Sequence, residues 1–282
     1  MQSAQAETVD PLMARVIRLE YRNVTMRFAE AGGRGVLTAV RGVSLAVRDG
    51  EVVSLIGPSG CGKSTLLNIG SGLAAPSEGA AFVDGERVAG PNAHVAFMLQ
   101  KDLLLPWRTV AENVMFGVEI QGVAQAERRR RAQQLLTNFK LAEFSNHYPH
   151  QLSGGMRQRV ALARTLAVDP HVLLLDEPFS AVDAQTRMVL QRDLAQTLMQ
   201  AGKTALLITH DLLEAVTLSD RVLVMSARPG IIIDEIVIDM PRRDDPIARR
   251  HDAKVNGYVA QLMDRLDIGH ITLEQQTAQA SP

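Results

Sequence analysis

A short apolar run, Val52 to Ile56, leads straight into Gly57-Pro58-Ser59-Gly60-Cys61-Gly62-Lys63-Ser64-Thr65. A short, mainly apolar run suits a strand covered on both faces, as in a parallel sheet. The glycines that follow let the main chain curl until several N–H groups converge. The helix expected near Lys63 to Ile69 adds its positive end. The spacing G-x-x-x-x-G-K-S therefore cradles phosphate: Lys63 is a charged donor for the β and γ oxygens, and the Ser64 hydroxyl is a ligand for Mg²⁺. A chain carrying this unit is drawn to an α/β fold that binds a nucleotide.

The second half of such a site follows downstream. Val172 to Leu175 is another apolar run and ends in Asp176-Glu177. At a strand tip Asp176 can hold magnesium through water, and Glu177 beside it can polarise the attacking water as general base. Alone, two acids after a strand read as a capping or solvated turn; beside a phosphate loop they read as catalytic. Ala205 to Ile208 is a third buried-strand run, and Gln185 to Gln200, ended by Gly202, reads as a helix.

Earlier, Val16 to Val53 alternates apolar and polar residues, which suits an antiparallel layer with a loop at Glu30 to Gly35 and a hairpin turn at Asp49-Gly50. From about Asp102 to Val168 the strand signal fades. Ala126 to Phe139 and Gly154 to Val168 carry helical spacing, so this stretch reads as a helical subdomain inserted between strands. Arg228-Pro229-Gly230 and the β-rich Ile231-Ile232-Ile233 close the pattern. Residues 1 to about 15 and about 270 to 282 read as polar tails.

Thirty basic and thirty-one acidic residues give a formal charge of -1. That removes the electrostatic case for a dedicated nucleic-acid binder. Cys61 is the single cysteine, so no disulfide can form within the chain and a reducing compartment is expected. No apolar run reaches the roughly 18 to 20 residues that span a bilayer, and the first residues lack the pattern of a secretory signal.

Leu152-Ser153-Gly154-Gly155-Met156-Arg157-Gln158 is a helix start in which Ser153 can cap and the glycines admit close backbone approach. With Gln100 and His210 it completes a set of five motifs. In order and separation the set resembles that of ATP-binding cassette proteins, over roughly residues 18 to 252. The resemblance implies an α/β P-loop NTPase (RecA-like) core with an antiparallel β subdomain and an inserted α-helical subdomain at about 102 to 168. The whole would form a domain of residues 16 to 252, followed by a partly helical extension at 253 to 282.

The same resemblance implies hydrolysis of ATP with Mg²⁺ by two copies arranged head to tail. Ser153, Gly154, Gly155 and Gln158 of one copy would face the γ-phosphate held by the other. Gln100 would join Ser64 and Asp176 at the metal and sense the attacking water, and His210 would hydrogen-bond the γ-phosphate. Asp183 closes a Ser180-Ala181-Val182-Asp183 segment that resembles the family's D-loop, with Val where Leu is usual. Phe28 aligns with the family's adenine-stacking aromatic; a strand-end Phe also suits a core.

Met98 to Val110 and Asp220 to Gly230 resemble the ATPase subunits of nitrate, sulfonate and taurine importers. That implies an energy-coupling subunit at the cytoplasmic face of the cell membrane, peripheral, with a permease and through it a solute-binding protein as partners. The solute would be small and often anionic. Leu105, Trp107 and Arg108 would line the groove that receives the permease, although Leu103 to Trp107 also suits local core packing. The alternative within the family is a non-transport cassette, which usually carries coiled-coil arms, zinc-binding cysteines or two cassettes in one chain; none is seen here. Arg128 to Arg131 read as a solvated helix face. Gly70, inside a helix where Ala would be worth about 1 kcal/mol more, has no functional reading.

Overall fold

The computed structural model describes residues 15–29, 35–180 and 182–266. The tails expected at the two ends, and the loop at 30 to 34, lie outside the described residues. In chain order the elements are β1 (Ile17–Ala29), β2 (Val36–Arg48), β3 (Val52–Ile56), α1 (Lys63–Gly70), β4 (Glu78–Val83), β5 (Glu86–Arg87) and β6 (Val95–Met98). Then come α2 (Val110–Ile120), α3 (Gln125–Asn138), α4 (Gly154–Ala167), β7 (Val172–Asp176), α5 (Ala184–Gln200) and β8 (Thr204–Ile208). The last are α6 (Leu212–Leu218), β9 (Arg221–Met225), β10 (Ile232–Val237) and α7 (Pro246–Arg249). Residues 255–266 form a further helix.

The strands form two sheets. The smaller is antiparallel in the order β2-β1-β4-β5, and the larger runs β10-β9-β3-β8-β7-β6. Within the larger sheet only β10 pairs antiparallel; β9, β3, β8, β7 and β6 run parallel. Every residue of β3, β7, β8 and β9 is buried, as their mainly apolar text suits strands covered on both faces. The small sheet covers one face through Leu19, Tyr21, Val43, Leu55 and Leu174. The other face packs under α2, α4 and α5 through Val114, Leu162, Leu175 and Leu194.

Asp49-Gly50 is a turn, with Gly50 at φ 68°, but it is not a hairpin turn. It carries the chain from β2 in the small sheet to β3 in the large one, and the two strands do not pair. The Asp-Gly signal is local; it fixes a reversal of direction without choosing the partner strand.

The stretch 102–168 holds α2, α3 and α4 and no strand. The helix α2 went unread from the sequence, yet it carries a start signal. Thr109 accepts from Glu112 N–H while the Glu112 carboxylate accepts from Thr109 N–H, a reciprocal capping box. On α3, Glu127 pairs with Arg130 and Arg131, so the arginine run is the solvated face expected. Gly70 has a packing reason: a Cβ there would lie 2.1 Å from the Tyr21 hydroxyl, which donates to Leu66 O at 2.8 Å.

Candidate active site

Because β3, β6, β7 and β8 run parallel, their carboxyl ends share one edge of the sheet, where open α/β sheets bind ligands. Register brings the ends level: Leu55 and Asp176 both stand opposite Ile208, and Met98 stands opposite Leu175. The phosphate loop, Gln100, Asp176-Glu177 and His210 follow directly from those ends. Residues of the phosphate loop, Gln100, Glu177 and His210 line a cleft of about 590 Å³ together with Phe28 and Arg228.

The loop curls because Gly60 and Gly62 take φ of 75° and 102°, conformations that L side chains rarely adopt. At Gly62 a Cβ would also meet Val40 Cγ1 at 2.4 Å. Lys63 Nζ turns back over the loop and donates to Gly57 O at 2.7 Å and Pro58 O at 2.9 Å. Gly57, Ser59, Ser64 and Thr65 line the cleft. The Cys61 side chain instead points into the core beneath the loop, so this residue can serve a phosphate only through its main chain.

Asp176 is buried at the tip of β7. Burial pushes its carboxyl up; a hydrogen bond from Ser64 and the charge of Lys63 oppose this, and the neighbouring Glu177 reinforces it. The Asp176 carboxylate and the Ser64 hydroxyl bonded to it offer oxygen donors, the chemistry that suits Mg²⁺.

Glu177 has φ 46°, uncommon for a non-glycine residue, and its N–H donates to Ile208 O at 3.0 Å. Its Oε2 accepts from Gln100 Nε2 at 3.0 Å and lies 3.4 Å from His210 Nδ1. Two residues from two other strand ends thus converge on one oxygen of the Glu177 carboxylate.

The other expected site residues fall elsewhere. Ser153 caps α4 by accepting from Met156 N–H at 3.3 Å, and Ser153 and Gly154 are exposed. Among the described residues, none of the 153–155 segment lines the cleft. Gln158 departs from the expected contact with a partner's nucleotide: it is buried, and its amide donates to Pro178 O. It ties α4 to the loop that follows Glu177. Asp183 caps α5, accepting from Thr186 N–H at 3.0 Å. Phe28 is 42% exposed at the cleft, so it is not a core residue.

Trp107 is 71% exposed, which removes the core reading for it, while Leu104 is the buried member of the same stretch. Leu105 is half-buried, and Arg108 pairs with Glu119 at 2.7 Å while lying over the Phe116 ring.

Two contributors escaped the sequence reading. Arg228 donates from Nε and Nη2 to Gly60 O at 3.0 and 2.8 Å, which braces the phosphate loop from the turn after β9. Asn113, fully buried in α2, accepts from Leu105 N–H and donates to the carbonyls of Leu105, Arg108 and Thr109. That amide shapes the segment that presents Trp107. Its position just after Glu112 of the capping box was the only signal available.

Residues 40–180 match the family model described as ABC transporter. An uncharacterised ABC transporter ATP-binding protein of Methanocaldococcus jannaschii is 46% identical over 229 residues, 81% of this chain and 85% of that protein. The taurine import ATP-binding protein TauB of Burkholderia pseudomallei is 48% identical over 213 residues, 76% of this chain and 82% of the relative. Among solved structures, a dimeric ATP-binding cassette in a post-hydrolysis state, bound to ADP and Pi, superposes with a TM-score of 0.70 at 33% identity; the match covers 79% of this chain and 99% of that one. The chain belongs to the ABC transporter family and is one of its ATP-hydrolysing, ATP-binding subunits.

Proposed function

We propose that this chain is the energy-coupling subunit of an importer for a small, anionic solute of the sulfonate or nitrate kind, working as a head-to-tail pair. The observation that carries the paired reading is the position of Ser153 and Gly154. They offer an exposed helix start, suited to phosphate, that does not reach the chain's own cleft. A second copy supplies the nucleotide that this helix start faces.

In that arrangement the phosphate loop and Lys63 hold the ATP phosphates, and Phe28 stacks on the base. Ser64, Asp176 and Gln100 would hold Mg²⁺, which offsets charge on the phosphate oxygens when bound. Glu177 takes the proton of the attacking water as its oxygen bonds to the γ-phosphorus. The bond to the β-phosphate oxygen breaks, and ADP and phosphate leave. Gln100 and His210 orient the Glu177 carboxylate through its Oε2. His210 also donates to the γ-phosphate, and Asp183 orders the start of α5 behind the site. ATP favours the closed pair because only closure completes the γ-phosphate shell; hydrolysis removes that preference.

The importer reading draws on the likeness to taurine import subunits and on the exposed apolar side chains of Leu99, Leu103 and Trp107. Exposed apolar side chains of this kind suit docking of a membrane permease, with the chain held peripherally at the cytoplasmic face and a solute-binding protein delivering solute from outside. Among the described residues no helix is long and apolar enough to cross a membrane.

The test is Glu177→Gln, which keeps size but removes the proton acceptor. ATP should convert the variant to a stable dimer by light scattering while turnover falls by on the order of a thousandfold. Hydrolysis at the wild-type rate would overturn the assignment of Glu177, and an ATP-loaded variant that stays monomeric would overturn the paired site.

A further inference from the structure

Asp84, His94 and His171 meet at the amino ends of β6 and β7, a strand's length from the nucleotide cleft. The register sets Val95 opposite Val172, so the two residues just before them, His94 and His171, become neighbours. His94 O accepts from the N–H groups of both His171 and Val172, at 2.9 and 3.0 Å. Asp84 arrives from the small sheet, in the turn after β4, with φ 51°. Its Oδ2 lies 2.7 Å from His94 Nδ1 and 2.6 Å from His171 Nδ1, and the two Nδ1 atoms are 3.1 Å apart.

Hydrogen bonds alone account poorly for this triangle. One carboxylate oxygen would accept from two ring N–H groups at an acute angle, with both hydrogens crowded into the same space. Protonating both rings would be worse. Two imidazolium groups would then join Arg18, which already donates to Asp84 Oδ1 at 2.8 Å. A single cation uses all three lone pairs at once. A tetrahedral ion with bonds of about 2.0–2.1 Å spaces its ligand atoms about 3.3 Å apart, wider than the triangle seen by about 0.2 Å between the two nitrogens and about 0.6 to 0.7 Å from each nitrogen to the carboxylate oxygen. Both histidine side chains are about half exposed, so they can open by that amount and leave water a fourth position. The surroundings fit as well: Arg18, shared with Asp49, fixes the second carboxylate oxygen, and Asn92 Oδ1 accepts from His94 N–H at 2.9 Å.

We propose that Asp84, His94 and His171 bind one divalent transition-metal cation of the zinc class, separate from the magnesium of the nucleotide site. Two imidazole nitrogens favour such an ion over Mg²⁺ or Ca²⁺, which prefer oxygen. The cation clasps the small antiparallel sheet to the start of the parallel one. Because its ligands come from three separate segments, binding stabilises the folded chain.

The full chain, freed of metal with a chelator, is titrated with zinc sulfate by calorimetry and with Co²⁺ followed by its visible absorption. One zinc per chain at this site, a tetrahedral Co²⁺ spectrum and a raised melting temperature are expected. His94→Ala and His171→Ala should each weaken that binding by more than about tenfold. His210→Ala is the control for a second histidine beside a carboxylate, and it should leave the site's zinc in place. Melting in chelator checks that the variants fold; where one melts early, the corresponding His→Gln replacement takes its place. No saturable zinc binding by the wild type, or binding of equal affinity in the His94 and His171 variants, overturns the site.

Discussion

Glu214 sits on α6, four residues beyond His210, and is only 3% exposed. Burial pushes its carboxyl up to about 7, with Asp211 acting the same way and hydrogen bonds involving Thr209 and Gln191 acting against it. The folded chain therefore holds this proton more tightly than the unfolded chain. The stability that follows is complete below the ordinary carboxyl range and is lost as pH rises through about 7. Glu214→Gln removes the titration while keeping the shape and the acceptor for Gln191 Nε2. At pH 8 the variant should be the more stable chain by on the order of 3 kcal/mol; at pH 5, just above the ordinary carboxyl value, the gap should shrink to about 1 kcal/mol. Urea unfolding at both pH values checks this, and a stability difference independent of pH would contradict it. The same residue-scale reasoning separates the two acids of the cleft: Asp176 is buried at a strand tip, whereas Glu177 turns outward to Gln100 and His210 through its left-handed backbone.

Among the elements, α2 does the most with the least obvious text. Its first turn is closed by the Thr109–Glu112 box, and Asn113 one residue later binds the preceding loop at three carbonyls. On the other side of that loop, Arg164 of α4 donates to the carbonyls of Asp102 and Leu103. The backbone of 102–109 is thus held from two helices while Leu103 and Trp107 stay outside. Thr109→Ala deletes one half of the box and should cost about 1 kcal/mol in chemical denaturation. Thr109→Ser, which keeps the acceptor oxygen, should stay within a few tenths of wild type. Equal losses in the two variants would mean that the methyl group, not the cap, matters.

For the whole molecule, Trp107 is the residue proposed to contact a permease. Because its side chain is exposed, Trp107→Ala should leave the melting curve almost unchanged, within about 0.5 kcal/mol. Basal ATP hydrolysis should also persist, since no residue of the cleft is touched. Association with the permease, read by co-purification from membranes, should weaken by an amount on the order of 2 kcal/mol, with uptake falling alongside. Undiminished co-purification and uptake would remove Trp107 from the docking surface.

By itself the sequence determined what acts over a few residues. The glycine spacing of 57–62, the apolar runs at β3, β7 and β8 and the cap at Ser153 each act through neighbours in the chain, so the phosphate loop, the parallel core and the start of α4 were legible there. Asp176-Glu177 was legible as a strand tip beside a phosphate loop, and Gln100 and His210 through the family resemblance; the parallel strands then end on one edge and bring the four together. Pairing and burial belong to the tertiary structure, since they depend on residues brought together from far along the chain. It sent the Asp49-Gly50 turn between sheets, buried Gln158 under Pro178, brought Arg228 to a loop 168 residues away, and exposed Trp107 where its apolar character equally suited a core. It also gathered Asp84, His94 and His171, of which the last lies 77 and 87 residues from the other two. No local pattern encodes that meeting; the register of β6 on β7 and the reach of the β4 turn create it.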